Sequence, residues 1–581
     1  MRANQVGYVA GQVHGAFLMA PDARDNAVVH VVDDATGSAA WECTVGATTG
    51  SWSTAWPFVY PIDFTGFDTP GTYHLVAGDA KSAPFQIGTG AALYGPLVDN
   101  AVAFLRAQRD GSDVDPSILA REPSHLDDAT ASVDKTPTFD GDDALTSTLT
   151  PTGQTVDVSG GWFDAGDYLK FVETASYVEV VLLIVSRDDP SDTALRAEAT
   201  RGAAWLDKMW NDSTKTLLLQ VGVGDGNDNV FCDHDIWRLP EADDGSTDKM
   251  TACATHRPVF LAAAAGAKLS PNLAGRMAAE MALASTVLGG AQAAVRLKNA
   301  QDLIAQSVAA GDAVTVTALP TDFYGESDGA DDVELGGAEI ALALQASGGD
   351  ATTALATATT GFENAADGAE SFNLYEVNGL AHIELAKALG SGTSHGVSAS
   401  DLTAALEAKL AADEMTAGTD PFALGQTDDN GDPVPHALGV AVEALLSGNP
   451  SHAVLAQQEL AWVLGANAWG TSFVVGAGTT APQCLQHQVA NLVGNLPAGL
   501  GTSANAAGLA VGATVDGFTT PDDLGSAADL LDGMNPCSVD GFATFDSTTR
   551  AYRDDVVSFD TSEPADDYTM TAMLAFYLAT K

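Results

Sequence analysis

The chain has 581 residues, 46% of them hydrophobic, and sets 77 acidic side chains against 25 basic ones for a formal net charge of −52. That balance excludes a nucleic-acid partner held by phosphate neutralisation and an anionic membrane surface, because both need a basic footprint. Repulsion on this scale is tolerable where salt screens it, since the Debye length falls to about 3 Å at molar ionic strength, and composition therefore points to a high-salt organism.

The N-terminal stretch "MRANQVGYVAGQVHG" has no basic segment followed by an apolar core, so it reads as lacking a secretory signal. The expected location is the cytoplasm, or the outside of the cell if a signal has been removed. Up to residue 88, short β-branched and aromatic runs such as "GAFLMA", "AVVHVVDD", "FVYPIDF" and "APFQIG" alternate with turn signals, which predicts a small antiparallel β-sandwich. From residue 89 the period changes. Amphipathic segments at 91–109, 173–187, 272–290, 333–346, 376–390, 436–448, 451–465 and 567–581 belong to a set of about a dozen helices. Small residues on their faces allow close approach, and no strand alternation separates them, so residues 89–581 are expected to form an antiparallel helical toroid. The longest apolar run, "PVFLAAAAGAKL" at 258–269, is shorter than the roughly 18 residues a membrane span needs.

Five dispersed cysteines suggest no disulfide framework. Cys232, His234, Cys253 and His256 lie near one another and carry the donor types of a tetrahedral zinc site. Their C-x-H and C-x-x-H spacings match no standard finger, and buried thiols beside unrelated histidines are the competing reading.

Irregular stretches fall at 110–172, 211–252, 312–332, 414–435 and 466–565, where side chains that do chemistry would sit on a helical frame. The first ends in "GGWFDAGDYLKF", with Asp164 and Asp167 three positions apart just before a helix. In so acidic a chain a bare D-x-x-D carries little information, but a catalytic pair would need a partner acid from another loop. Glu563 in "RDDVVSFDTSEPADDY", before the last helix, is the candidate.

These two segments carry a resemblance. "SGGWFDAGDYLKF" resembles the patterned GGW-[YH]-DAGD-x-x-K-[FY] segment of glycoside hydrolase family 9, and "YRDDVVSFDTSEPADDYTM" resembles that family's closing N-E-x-A-x-D-Y-N-A segment in register. "NQVGY" and "PGTYHL" resemble the immunoglobulin-like domain that precedes many such catalytic domains, and "DHDIW", "TDFYGESDGADDVELGGAEI" and "WVLGANAWGTSFVVGAG" extend the likeness over nearly the whole chain. The resemblance implies an immunoglobulin-like β-sandwich over 1–88 and an (α/α)6 barrel over 89–581.

It also implies inverting hydrolysis of β-1,4-glucan, with Asp167 as general base, Asp164 helping to hold the water and Glu563 as general acid. Mutual repulsion of the two aspartates would raise one pKa and strengthen that group as a base, while Glu563 should be poorly solvated. By the same matching, Tyr568 is expected as a sugar platform and Trp237 as a second, with a core tryptophan as the alternative for Trp237; Trp162 reads as packing. No cofactor is implied for catalysis. A structural Ca2+ is implied without identified ligands, and no protein partner is implied.

Two departures stand out. Where the family has P-H-H-R, this chain has "PQCLQHQ", retaining His487 beside Gln486 and Gln488, and glutamine cannot replace a guanidinium's charge or fork. A zinc site of some relatives falls here on Asp110, Ser124, His125 and Phe163, so that zinc is expected to be absent, with His125 either a sugar contact or a structural residue. Three readings follow: an endo-acting glucanase, an exo-acting hydrolase of short cello- or glucosamine-oligosaccharides, and an inactive sugar-binding protein, which three retained carboxyls argue against.

The charge makes a prediction of its own. Melting temperature and activity should rise steeply from dilute buffer to molar NaCl or KCl, and a melt that is flat between about 0.1 and 2 M salt would refute the halophilic reading.

Overall fold

The computed structural model describes residues 1–118, 121–141, 143–307, 316–326, 328–365, 370–426, 432–494 and 510–581. Period-two runs at the N-terminus form β1 (Gly7–Val9), β2 (Gly15–Ala20), β3 (Val28–Asp33), β4 (Ala39–Thr44), β5 (Phe58–Asp63), β6 (Gly71–Ala77), β7 (Ala80–Lys81) and β8 (Phe85–Gly88). One sheet runs β1-β8-β6-β3-β4 with β7 on β6, and β2 pairs with β5 opposite it. Between them Val29, Val31, Leu75 and Ile87 are buried with Tyr8, whose ring meets Phe64 and Phe85 edge-on at 4.9 and 5.1 Å. Alternating apolar residues thus bury one face of each sheet.

Among the described residues, twelve helices of eleven residues or more follow: α1 (Gly90–Gln108), α2 (Val172–Asp188), α3 (Thr193–Met209), α4 (Pro271–Val287), α5 (Ala293–Gln306), α6 (Ala330–Ser347), α7 (Thr352–Asn364), α8 (Asn378–Leu389), α9 (Ala399–Ala417), α10 (Pro433–Leu446), α11 (Ala453–Val463) and α12 (Asp566–Ala579). Their starts are marked locally. Thr89 caps α1, Asp192 accepts two amides of α3, Ser398 and Asp401 form a capping box on α9, and Pro271 and Pro433 open α4 and α10.

The even-numbered helices are buried on all sides and touch in cyclic order, with α12 returning to α2. The odd-numbered ones pack outside: α1 on α12, α3 on α2, α5 on α4, α7 on α6, α9 on α8 and α11 on α10. An outer helix therefore buries one stripe, as α9 does with Leu402, Leu406 and Leu410 at four-residue intervals. An inner helix has no free face, and glycine sets how near its neighbour comes. A Cβ on Gly275 of α4 would lie 2.3 Å from the carbonyl carbon of Asp332 in α6, and one on Gly336 would lie 2.5 Å from the Gly275 oxygen.

The loops are less irregular than their composition suggests. Strands β9 (Ala131–Asp134), β10 (Pro151–Val156), β11 (Lys170–Phe171), β13 (Thr216–Val221) and β14 (Val259–Leu261) form a sheet in the order β10-β9-β14-β13-β11, and β12 (Trp210–Asn211) pairs with β13. Strands of two to six residues are too short for an alternating pattern to stand out. Strand β11 leads directly into α2 and pairs Lys170 with Val221 and Phe171 with Gln220, which anchors the end of the Asp164–Asp167 turn.

The cysteines correct the sequence reading. Cys232–Cys253 and Cys484–Cys537 are disulfides and Cys43 is free. Two of the four candidate zinc donors are thereby bonded to each other. His234 and His256 pair instead with Asp167 and Asp127, so that grouping holds no thiolate for a metal.

Candidate active site

The loop before α2 and the loop before α12 are stitched together by backbone. The Asp566 amide donates to the Asp164 carbonyl (2.7 Å), the Gln488 amide to Gly166 (2.7 Å) and the Gln486 amide to Ser562 (3.1 Å). A cavity of about 590 Å³ opens at this seam, lined among others by Asp164, Asp167, Glu563, Tyr568 and Trp237. Residues at or just before the N-termini of four inner helices also reach it: Phe171, Tyr375, Asp432 and Asp567.

Gly166 is the joint between the two acids. Its amide donates to Glu563 Oε1 at 3.0 Å, and a Cβ there would lie 2.1 Å from the Gln486 oxygen. Burial, then the nearby charge of Asp167, pushes Glu563 up to about 8. Asp167 behaves oppositely. Burial would raise it, but His234 Nε2 lies 2.9 Å from Oδ2 and the Leu169 amide donates to Oδ1 at 2.7 Å, so it falls below the ordinary carboxylate range. His234 Nδ1 faces Asp225 at 3.4 Å, and between these two carboxylates the imidazole rises well above its usual range despite burial.

Burial and repulsion from Asp167 hold Asp164 well above its usual range. Its Oδ2 accepts a hydrogen bond from the Tyr324 hydroxyl, while Oδ1 is buried without a hydrogen-bond partner. Repulsion within the pair therefore raises Asp164 and not Asp167, the expected base, because the imidazolium stands on the Asp167 side. Neither His234 nor Tyr324 was assigned this place from sequence. His234 stands in "DHDIW", where the sequence offers it only as a zinc donor or as a histidine unrelated to the nearby thiols, and Tyr324 lies in "TDFYGESD" without a signal of its own.

Two expected sugar contacts lie elsewhere. His487 is buried with Nε2 2.8 Å from Gln108 Oε1, and burial lowers its pKa to about 4, so it is a neutral packing group; Gln486 and Gln488 on either side line the cavity. His125 is buried 2.9 Å from Asp110 and 3.2 Å from Asp243. Trp162 is also buried, with Nε1 donating to Glu198.

His125 belongs to an ion cluster under the turn. Lys170 Nζ reaches Asp110 and Asp128, both at 2.8 Å, and the carbonyls of Val158 and Gly160, while Arg257 reaches the same two aspartates and the Tyr168 carbonyl. Ser124 donates to Asp110 at 2.9 Å, and the Phe163 ring lies edge-on to His125. The four positions matched to a zinc site thus carry or border a cluster of protein charges. Burial opposes the charge on Asp110, but Lys170 and His125 hold it well below the usual range.

A second acidic group lies at the start of α6. Glu326, Asp331 and Asp332 are buried with potential ligand atoms within 4.8 Å of one another, and Asp331 Oδ1 has no hydrogen-bond partner. Oxygen-only donors of this kind fit a hard cation such as Ca2+. Arg276 beside them, 2.9 Å from Asp332 and 2.7 Å from Glu173, offsets only part of the charge.

Two carboxyls from separate loops facing one cleft in a ring of helices that follows a β-sandwich in the chain are the arrangement of a class, the two-carboxyl glycoside hydrolases. Residues 94–578 match the model of glycosyl hydrolase family 9 and residues 1–82 that of the cellulase N-terminal ig-like domain, so the chain belongs to glycosyl hydrolase family 9. It is similar to endoglucanase C of Cellulomonas fimi, at 31% identity over 177 residues, 30% of this chain and 16% of that protein's length. Among solved structures, a metagenome-derived family 9 endoglucanase superposes with a TM-score of 0.72 at 20% identity, over 100% of this chain and 99% of that one. A mutant thermostable endoglucanase of Alicyclobacillus acidocaldarius gives 0.73 at 19% identity with the same coverage. These structures show a shared fold.

Removing one partner of a buried ion cluster leaves charge uncompensated and costs about 3–5 kcal/mol. Lys170→Met should therefore lower the thermal midpoint in molar salt markedly. A midpoint within a degree of wild type would show that Asp110 and Asp128 do not depend on this lysine.

Proposed function

We propose that the protein hydrolyses β-1,4-linked glucan chains with inversion at the anomeric carbon, on an (α/α)6 barrel formed by the six inner and six outer helices. The observation that carries this is the meeting of Asp167 and Glu563 in one cavity across Gly166, whose amide donates to Glu563 Oε1 while His234 Nε2 stands 2.9 Å from Asp167 Oδ2; these surroundings displace the two carboxyls oppositely, Glu563 up to about 8 and Asp167 down. Near neutral pH one holds a proton and the other does not, which is the division of labour that single displacement requires.

In this reading Asp167 takes a proton from water as its oxygen attacks the anomeric carbon. Glu563 protonates the departing glycosidic oxygen, so one C–O bond forms as another breaks. Asp164, whose Oδ2 accepts a hydrogen bond from the Tyr324 hydroxyl, orients the water. Tyr568 offers a ring face to the sugar, whereas Trp237, 4% exposed and packed with Cys484, Met534 and Cys537, takes the alternative reading of a core tryptophan at the cavity's edge. Two disulfides suit an oxidising compartment and favour action outside the cytoplasm. Glu326, Asp331 and Asp332 are proposed to hold a structural Ca2+.

Asp167→Asn and Glu563→Gln should each reduce turnover by about a thousandfold, within the usual reach of a single acid–base group, with an unchanged melt. Near-normal activity of either would refute the assignment, as would proton NMR showing β-configured product first from a β-linked substrate. The pH profile gives the sign of His234's effect. Because the imidazolium depresses Asp167, His234→Gln should raise that pKa and move the acid limb to higher pH, while the alkaline limb of the wild type falls near the Glu563 value of about 8.

Chelation tests the cation. EGTA should lower the melting temperature and added Ca2+ restore it, and Asp331→Asn should remove the response. A melt that ignores EGTA and Ca2+ alike would leave Arg276 as the site's counter-charge.

A further inference from the structure

Arg257 and Arg276 are each held by carboxylates. Arg2 and Arg24 are not. Among the described residues neither of these two guanidiniums has a hydrogen bond or an ion pair, in a chain that sets 77 acids against 25 bases. Both line one cavity of about 750 Å³ at the seam where the end of β2, the start of β3 and the β6–β7 turn meet Phe545 of the helical region. That cavity shares no described residue with the catalytic one.

Arg2 is built into its place. Its guanidinium lies over the Phe545 ring, 4.2 Å from the centroid, and Gly470 leaves the room that Nη1 occupies, since a Cβ there would lie 2.4 Å away. Its Nε is buried without a hydrogen-bond partner, and burial lowers its pKa to about 10 with no carboxylate to restore it. Arg24 reaches the same cavity from the exposed turn after β2. Asp79, the one acid in the described lining, pairs with neither arginine, and His30 lies 3.5 Å from Glu42. A buried donor left unpaired is a cost that an anion entering the cavity removes. Two guanidiniums are no broad basic face, but they suffice for one carboxylate.

The walls narrow the class of anion. Most of the remaining lining is apolar, and Trp56, fixed by its Nε1 donating to the Thr544 carbonyl at 2.9 Å, stands 5.6 Å from Phe545 ring to ring. An inorganic anion would answer the charge and leave these walls and most of the volume unused, whereas cavities of this size and lining take small organic molecules. The planar fork of arginine matches a carboxylate, and an aromatic face beside it covers the C–H face of a pyranose ring. We propose that Arg2 and Arg24 form a second sugar site, specific for a pyranose that carries a carboxylate, a uronic acid. The site is read by binding, so it stands apart from the assignment of the catalytic cavity.

The test is a ligand-detected NMR titration of the intact protein in molar KCl with glucuronate, glucose and inorganic phosphate. Glucuronate should bind in preference to both others, and Arg24→Gln and Arg2→Gln should each weaken it at least about tenfold, the loss of one charge-assisted pair. Arg24 is exposed, so its variant should keep the wild-type melt and the wild-type turnover on any glycan the protein cleaves, even if Arg2→Gln disturbs the seam. No glucuronate binding would overturn the inference, as would binding that Arg24→Gln leaves unchanged. Glucose bound as tightly as glucuronate would remove the carboxylate from recognition, and phosphate bound as tightly would make this a site for inorganic anions; either result overturns the assignment to a uronic acid.

Discussion

The hydrogen bond from the Asp566 amide to the Asp164 carbonyl joins two segments at opposite ends of the helical region, and the site depends on that closure. Each acid alone sits on a turn before a helix. They face one cavity because α12 completes the inner ring against α2 and carries Glu563 to the Gly166 amide. Glycine is required at the joint, since the Gln486 carbonyl occupies the space a Cβ would need. Closing a loop of this length costs conformational entropy, and the buried inner helices supply the apolar burial that offsets it.

The same closure explains how the cleft tolerates its acidity. Four inner helices start at the cavity, where Phe171, Tyr375, Asp432 and Asp567 lie at or just before their N-termini, and Asp567 sits in the first turn of α12. The positive end of a helix dipole favours each carboxylate by some tenths of a kcal/mol up to about 2 kcal/mol when partly buried. That is less than the burial cost. The remainder appears as the raised pKa values of Glu563 and Asp567, and that of Glu563 makes it available as an acid.

What the sequence made legible followed burial. The helical segments read from periodicity alone include all six inner helices, because a helix buried on every side is apolar along its length. The outer helices α3, α5, α7 and α9 were not singled out, since half of each is polar and their stripes are short. The carboxyls were found through a resemblance and not through periodicity, because catalytic residues on loops obey no period. His234 shows the limit. A histidine between two acids looks the same in sequence whether it binds a metal or supplies an imidazolium, and only the Cys232–Cys253 disulfide separates the two. His487 shows the converse, for a matched position turned inward onto Gln108.

Basic residues are scarce, and their placement connects the interior to the surface charge. Lys170, Arg257, Arg276 and Arg238 are buried or nearly so, each against two or more carboxylates, and they hold the turn, the start of α6 and the loop carrying His234. These cations are matched in the interior by a larger number of buried carboxyls, and the rest of the 77 acids against 25 bases leaves the exterior strongly acidic as well. Interior pairs of this kind are little screened by salt, whereas exposed acids are screened strongly. The net charge and the architecture of the site therefore meet in these four cations: each is held where desolvation makes it most effective, and solution ions are left to screen the acids at the surface.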